Sequence, residues 1–310
     1  MNKKFFLMGP TASGKTDAAK ILFDNFPVGI ISVDSAQIYR GFNIGSAKPK
    51  PEELTKYPHH LVDCKGPYEK YSVNEFKLDV EKLSAQIYRE NNIPILVGGT
   101  MMYFNSLENP LNEMPESTIE ARQDVKKDLN KYGLESMYKK LSEIDPIIVQ
   151  KIKSKDKQRI MRALEVYYIS GKPLSFYHKP KTKHKTDYKL YKIALIPSDR
   201  ALLNCRIENR VKDMLRNGFI EEVESLLKNN PSLDLNYPAL RSVGYKQVYE
   251  HIMGTISADD LAEKIVIATR QLAKRQMTWI RSMENLLVID PFDKAFDKKI
   301  IGSVKKFLEQ

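Results

Sequence analysis

The sequence predicts an α/β protein: a P-loop NTPase-like core built on a parallel sheet and interrupted by an all-helical insertion domain. Three observations carry this. An apolar run of strand length, Phe5-Phe6-Leu7, leads into Gly-x-x-x-x-Gly-Lys-Thr and then into helix-forming residues from Asp17 to Phe23. Short apolar runs go on alternating with helically spaced segments through the first third of the chain. From Pro110 to Lys189 the patterns are helical, with no convincing strand. The expected organisation is a first core segment over 1–112, a helical insertion over 113–189, and a second, mostly helical core segment over 190–310.

The elements follow in order. Phe5 to Leu7 is a buried strand. The turn after it, Gly9-Pro10-Thr11-Ala12-Ser13-Gly14-Lys15-Thr16, is a P-loop at a helix N-terminus. Val28 to Val33 is a β-branched strand ending at Asp34. Val73, Phe76, Val80, Leu83 and Ile87 recur at helical spacing within Ser72 to Glu90. Ile93 to Val97 is a further strand, ending in Gly98-Gly99. In a parallel sheet ligands gather at the carboxyl ends of the strands, and the P-loop, Asp34 and Gly98-Gly99-Thr100 all fall there. In the middle, 119–129, 134–142 and 156–169 read as helices punctuated by Pro115, Pro146 and Pro173. Lys179 to Lys189 is a polar, Lys-rich loop. Tyr191 to Ile196 is a returning strand. Helices dominate from Arg200 to Phe307, with one strand at 286–289.

Composition narrows the class. Hydrophobic residues make up 42% of 310, enough for a substantial core. The net charge of +11 suits a nucleic-acid partner and equally a generic Lys-rich surface. Cys64 and Cys205 form no paired ligand motif, which argues against structural zinc and for reduced thiols in a cytoplasmic protein. No signal peptide and no membrane-spanning run is expected.

The chemistry-bearing residues come next. P-loop N–H groups point into a cup that suits a phosphate or diphosphate. Lys15 adds a point charge, and the Thr16 hydroxyl can ligate Mg²⁺. Asp34 can accept a proton or help hold Mg²⁺, or it can act as a helix N-cap. Gly45-Ser46-Ala47-Lys48-Pro49 is a second basic loop. Adjacent His59 and His60 suit a hydrogen-bonding role better than a metal site. Arg206 and Arg210 share one helix face; they can clamp a polyphosphate or pair with Glu208 or Asp213. Three further segments are basic: Gln158-Arg159-Ile160-Met161-Arg162, Arg241-Ser242-Val243-Gly244-Tyr245-Lys246 and Lys274-Arg275-Gln276-Met277-Thr278-Trp279-Ile280-Arg281. Basic side chains interleaved with aromatics suit phosphate contacts and base stacking, although each alone is more often a solvated helix face. Trp279 is expected in the core.

Taken together, these segments resemble the tRNA dimethylallyltransferase (tRNA isopentenyltransferase) family nearly end to end. Gly9 to Thr16 fits its P-loop. Asp34-Ser35-Ala36-Gln37-Ile38-Tyr39 fits its D-S-x-Q-x-Y pattern. Gly45 to Pro49 fits its G-T-A-K-P loop, with Ser46 in place of Thr. Gly98-Gly99-Thr100-Met101-Met102-Tyr103 fits its G-G-T-x-x-Y segment. The last two basic segments fit its C-terminal signatures. The resemblance implies transfer of a dimethylallyl group from dimethylallyl diphosphate to N6 of the adenosine just 3′ of the anticodon, in tRNAs reading codons that begin with U. It implies no need for ATP, because the P-loop holds the diphosphate leaving group with Mg²⁺. It also implies a catalytic set of Asp34 as base, Thr16 as metal ligand and Arg210 on the leaving group. The implied tRNA contacts are Asp34, Ser35, Ala36, Gln37, Thr100, Arg122 and the three basic segments, with the insertion holding the anticodon stem-loop. A cytoplasmic monomer with no membrane association and no obligate protein partner is the matching expectation. Two rivals remain: a P-loop kinase of a small metabolite, which leaves the basic segments unexplained, and a non-catalytic RNA-binding protein, which leaves Asp34 without a task.

Overall fold

A computed structural model describes residues 2–109, 114–178 and 188–309. Strands β1 (Asn2–Met8), β2 (Val28–Val33), β3 (His59–His60), β4 (Ile93–Gly98), β5 (Tyr188–Leu195) and β6 (Leu286–Ile289) form one sheet in the order β3-β2-β4-β1-β5-β6. Every pairing is parallel. The helices are α1 (Lys15–Asn25), α2 (Pro51–Lys56), α3 (Val73–Arg89), α4 (Met101–Glu108), α5 (Ile119–Ile144), α6 (Lys157–Ser170), α7 (Leu174–Tyr177), α8 (Arg200–Arg216), α9 (Phe219–Asn229), α10 (Tyr245–Ile252), α11 (Ala258–Arg281) and α12 (Phe296–Leu308).

Alternation along β1 builds the two faces of the sheet. Phe5 and Leu7 join Ala18, Leu22, Ile30, Ile300 and Val304, so α1 and α12 cover one face. Phe6 and Met8 join Ile31, Phe76, Val80, Phe104 and Ile280, so α3, α4 and α11 cover the other. All four β1 residues are essentially inaccessible, and each side chain buried this way contributes about 1.5–3 kcal/mol. Double burial is why these strands read as continuous apolar runs. Helix α3 starts at a reciprocal cap: the Glu75 N–H donates to Ser72 Oγ at 3.1 Å and the Ser72 N–H to Glu75 Oε2 at 2.7 Å. A third cluster gathers Tyr39, Phe42, Phe219, Tyr245, Leu261 and Ile265 beyond the strand ends.

The chain divides into two compact units, Met1–Leu107 with Lys185–Gln310, and Glu108–His184. The second unit is helical and has its own core of Val125, Met137, Leu141, Ile148, Ile160 and Leu164. The two helices expected at 119–129 and 134–142 are both present within α5, which breaks into two helices at Gly133, where φ is 77° and ψ 167°. The loop expected at Lys179–Lys189 lies outside the described residues except for its last two, which belong to β5. Among the described residues no helix is long and apolar enough to cross a membrane.

Candidate active site

The P-loop follows directly from the end of β1. Ala12 (φ 63°) and Gly14 (φ 81°) both take left-handed backbone conformations, which turn successive N–H groups toward one concavity. Helix α1 then begins at Lys15, with Gly14 at its N-cap and no capping side chain. The first N–H groups of α1 are therefore left open to an anion. The Ser13 hydroxyl is fully buried and has no hydrogen-bond partner among the described residues. Lys15 folds back over the loop, its Nζ donating to the Pro10 carbonyl at 2.6 Å. Burial lowers the Lys15 ammonium to about 7, with the Asp34 carboxylate opposing that shift and Arg210 adding to it. Burial lowers the Arg210 guanidinium as well, again opposed by Asp34 and reinforced by Arg206. Lys15, Arg210 and Asp34 thus act on one another at the strand ends, two cations to one carboxylate.

Asp34 combines the two roles open to it. Its Oδ1 accepts the Ala36 N–H at 2.9 Å and the Gln37 N–H at 3.3 Å, capping the turn after β2. Both bonds fall on one oxygen, so the turn does not use the other. Thr100 stands alongside: its Oγ1 accepts the Ser35 N–H at 3.0 Å, and its N–H donates to the Val33 carbonyl at 3.1 Å. Gly98 permits this convergence, because a Cβ there would lie 2.1 Å from the Val33 carbonyl oxygen. The Gln37 amide is spent internally, donating to the Ser46 and Ala47 carbonyls and accepting from Ser32 Oγ, each at 3.3 Å. Glu222 fixes the neighbouring loop by accepting the Asn43, Ile44 and Gly45 N–H groups and the Tyr245 hydroxyl. A cavity of about 230 Å³ opens beside this turn, with Ser35, Tyr39, Tyr71, Tyr103, Arg241 and Ser242 among its walls. Burial pushes the Tyr39 phenol up to about 12 and raises Tyr71 and Tyr103 too, so the aromatic wall stays neutral.

The other expected site residues separate by exposure. Arg241, Lys246, Lys274, Arg275, Thr278 and Arg281 are exposed, whereas Tyr245 and Ile280 are buried and hold their segments in place. Val243 and Met277 are half-buried and Gly244 is buried. Trp279 is not in the core: it is 42% exposed, because Ala273, Gln276 and Ile280 take the inward face of α11. Glu208 pairs with Arg270 rather than with Arg206, and the Arg206 guanidinium lies 5.1 Å over the Phe292 ring. His59 Nδ1 donates to the Tyr57 carbonyl at 2.6 Å. Among the described residues no three His, Cys, Asp or Glu side chains are grouped to hold a metal ion.

Within the second unit, Gln158 and Arg159 are exposed on α6, Ile160 is buried and Met161 is half-buried. Arg122 is exposed, with Nε donating to Ser117 Oγ at 2.6 Å. Arg162 is engaged inside the unit: Nη2 donates to the Pro115 carbonyl at 2.8 Å and Nη1 lies 3.6 Å from Glu165. Sequence reasoning missed Glu222, the Tyr71 wall and the inward role of Gln276. Their partners lie far along the chain, so no local pattern marks them.

Comparisons with known proteins point to one family. The family model "IPP transferase" matches residues 37–283; it begins after the P-loop and Asp34. A tRNA dimethylallyltransferase of Legionella pneumophila is 46% identical over 310 residues, covering 100% of this chain and 98% of its own. One from Neisseria gonorrhoeae is 44% identical over 306 residues, 98% of each. Among solved structures, the full-length tRNA isopentenylpyrophosphate transferase of Bacillus halodurans has a TM-score of 0.71 at 32% identity, covering 100% of this chain and 96% of its own. A eukaryotic dimethylallyltransferase captured acting on tRNA has a TM-score of 0.83 at 25% identity, covering 100% and 80%.

Proposed function

The chain belongs to the tRNA dimethylallyltransferase family, and from that premise we propose how its residues carry out the reaction. The enzyme transfers the dimethylallyl group of dimethylallyl diphosphate to N6 of the adenosine just 3′ of the anticodon, in tRNAs reading codons that begin with U. The exocyclic amine is a weak nucleophile, because its lone pair is delocalised into the ring. As the N–C bond forms, the allylic C–O bond breaks, the diphosphate takes the electron pair and Asp34 takes the N6 proton. The P-loop amides, Lys15 and Arg210 stabilise the charge that develops on the leaving group. The observation that carries this is the placement of one carboxylate at the end of β2, acting on the P-loop lysine and on Arg210.

Magnesium fits the same cup in a limited way. Mg²⁺ prefers oxygen ligands and is usually held by one or two protein groups plus substrate phosphates. Thr16, at the start of α1, would supply such an oxygen, and among the described residues no group of three His, Cys, Asp or Glu side chains competes for the ion. When bound, the ion neutralises part of the leaving-group charge. The test of the donor site is competition: pyrophosphate should inhibit competitively against dimethylallyl diphosphate. ATP hydrolysis coupled to turnover would instead favour the kinase alternative.

The charge state of Lys15 gives a pH signature. In the ligand-free protein it titrates near 7, whereas in the unfolded chain it titrates near 10.4. Between those values the fold binds fewer protons than the unfolded chain, so its Lys15 contribution to stability rises with pH. An anion in the cup pulls the ammonium pKa back up. Pyrophosphate binding at about pH 8 is therefore expected to take up a fraction of a proton beyond that of Lys15→Met. Calorimetry in buffers of different ionisation heat measures the difference.

For RNA, the target base must leave its stack to reach a recessed site, at a cost of a few kcal/mol. Exposed cations on α11 and at Arg241, and Arg122 and Arg159 of the second unit, offset this through phosphate contacts. Holding the anticodon stem-loop is the task assigned to the second unit. Arg159→Ala is expected to reduce the salt slope of stem-loop binding by about one, as read from affinities across a salt series. Arg162→Ala is expected to loosen the second unit instead, seen as a lower unfolding temperature. Two exposed, unpaired cysteines suit a reducing cytoplasm.

A further inference from the structure

We propose that Gln276 is a positioning residue for the prenyl donor: it locks the P-loop to the end of β4 and thereby sets the affinity for the diphosphate rather than for RNA. The inference rests on the P-loop being the diphosphate site. Gln276 lies on α11 amid exposed basic neighbours, yet its own side chain is 8% exposed and points inward. Its Oε1 accepts the Thr11 N–H at 2.8 Å, and its Nε2 donates to the Gly99 carbonyl at 2.8 Å. One amide thus joins the turns that follow two neighbouring strands, β1 and β4. The arrangement fixes the amide's orientation, because a flipped group would set N–H against N–H and oxygen against oxygen. It also favours an amide at neutral pH, since an amide offers an acceptor and a donor on two atoms of one terminal group, whereas an ionised carboxylate only accepts. Gly99 makes room for it: a Cβ there would lie 2.4 Å from Nε2.

The consequence for the donor site comes from the backbone next door. Thr11 precedes Ala12, whose left-handed conformation (φ 63°) helps turn the loop amides inward. A non-glycine residue holds that conformation only where its surroundings impose it. The Gln276–Thr11 bond is one such constraint. Without it the loop can relax, and the cup loses its preformed geometry. The RNA-facing residues of α11 lie on the opposite side of the helix and keep their positions.

The test uses Gln276→Met, which keeps length but cannot bond, and Gln276→Glu, which keeps an acceptor for Thr11 and loses the donor to Gly99. Pyrophosphate affinity is measured by calorimetry on the RNA-free protein, and KM for dimethylallyl diphosphate and for the stem-loop at steady state, well below the unfolding temperature. The expected result for Gln276→Met is a rise of roughly tenfold or more in pyrophosphate Kd and donor KM, with stem-loop KM nearly unchanged. For Gln276→Glu the donor KM defect, relative to wild type, shrinks as pH falls and the carboxyl regains a donor proton. If Gln276→Met does not fold, the pH trend of Gln276→Glu decides. Wild-type pyrophosphate affinity in the variants, or a change confined to stem-loop KM, overturns the inference. A wild-type protein that binds no pyrophosphate and makes no product overturns the donor-site reading itself, so the two failures are told apart.

Discussion

Asp34→Asn is expected to slow prenyl transfer by roughly 10²–10⁴-fold, the usual contribution of a positioned general base, while stem-loop affinity stays within a few-fold of wild type. The substitution separates two jobs that one side chain performs. An Asn carbonyl still accepts the Ala36 and Gln37 N–H groups that Asp34 Oδ1 accepts now, so the turn after β2 survives. What disappears is the proton acceptor and the negative charge. Asp34→Ala would confound the outcome, since it also removes the two bonds that hold the turn after β2, each worth about 1 kcal/mol. Removing the charge also removes a repulsion against the incoming diphosphate, so pyrophosphate is expected to bind Asp34→Asn at least as tightly as wild type. Single-turnover rates at saturating substrates, alongside pyrophosphate and stem-loop affinities, check all three statements. A transfer rate within tenfold of wild type would show that another group accepts the N6 proton.

Arg210→Ala is expected to lower kcat/KM for dimethylallyl diphosphate by roughly 10²–10³-fold, the scale of losing one oriented charge at a developing anion. Leu203, Ile207 and Val211 bury one face of α8, and Leu203 and Ile207 pack with Ala273 of α11 and Ala12 of the P-loop. Arg210 therefore stands on a rigid support next to the cup. The residue is half-buried, and burial lowers its guanidinium pKa; partial removal from water strengthens its pull on an anion. Arg210→Lys is expected to recover only part of the loss, because an ammonium cannot present two parallel donors to a phosphate. Steady-state kinetics at fixed saturating stem-loop measure both. An unchanged kcat/KM would remove Arg210 from the leaving-group site.

Much of the core was legible because its chemistry is local. β1, β2 and β4 are buried on both faces over most of their length, so each reads as a mainly apolar run. The P-loop pattern is contiguous, and Asp34 sits one residue past a strand end. β3 was not legible, since two residues paired at a sheet edge carry no periodicity. Trp279 was misplaced because a single large aromatic suggests a core. Only the positions of Ala273, Gln276 and Ile280 on the inward face show that α11 turns Trp279 out. Gln276 itself read as one polar residue in a basic helix. Its partners are 265 and 177 residues away in sequence, so only the fold brings them together. Arg162 carries contacts that its basic segment does not announce: the folded chain sets its guanidinium against the Pro115 carbonyl and Glu165.

The central claim is that a P-loop here grips the diphosphate of a prenyl donor while Asp34 prepares an RNA amine. Incubating the protein with dimethylallyl diphosphate, Mg²⁺ and an unmodified tRNA, followed by mass spectrometry of the nucleosides, tests it most directly. The expected result is one dimethylallyl group on the adenosine next to the anticodon, with pyrophosphate released in equal amount and no ATP required. Unmodified RNA accompanied by ATP turnover would contradict it.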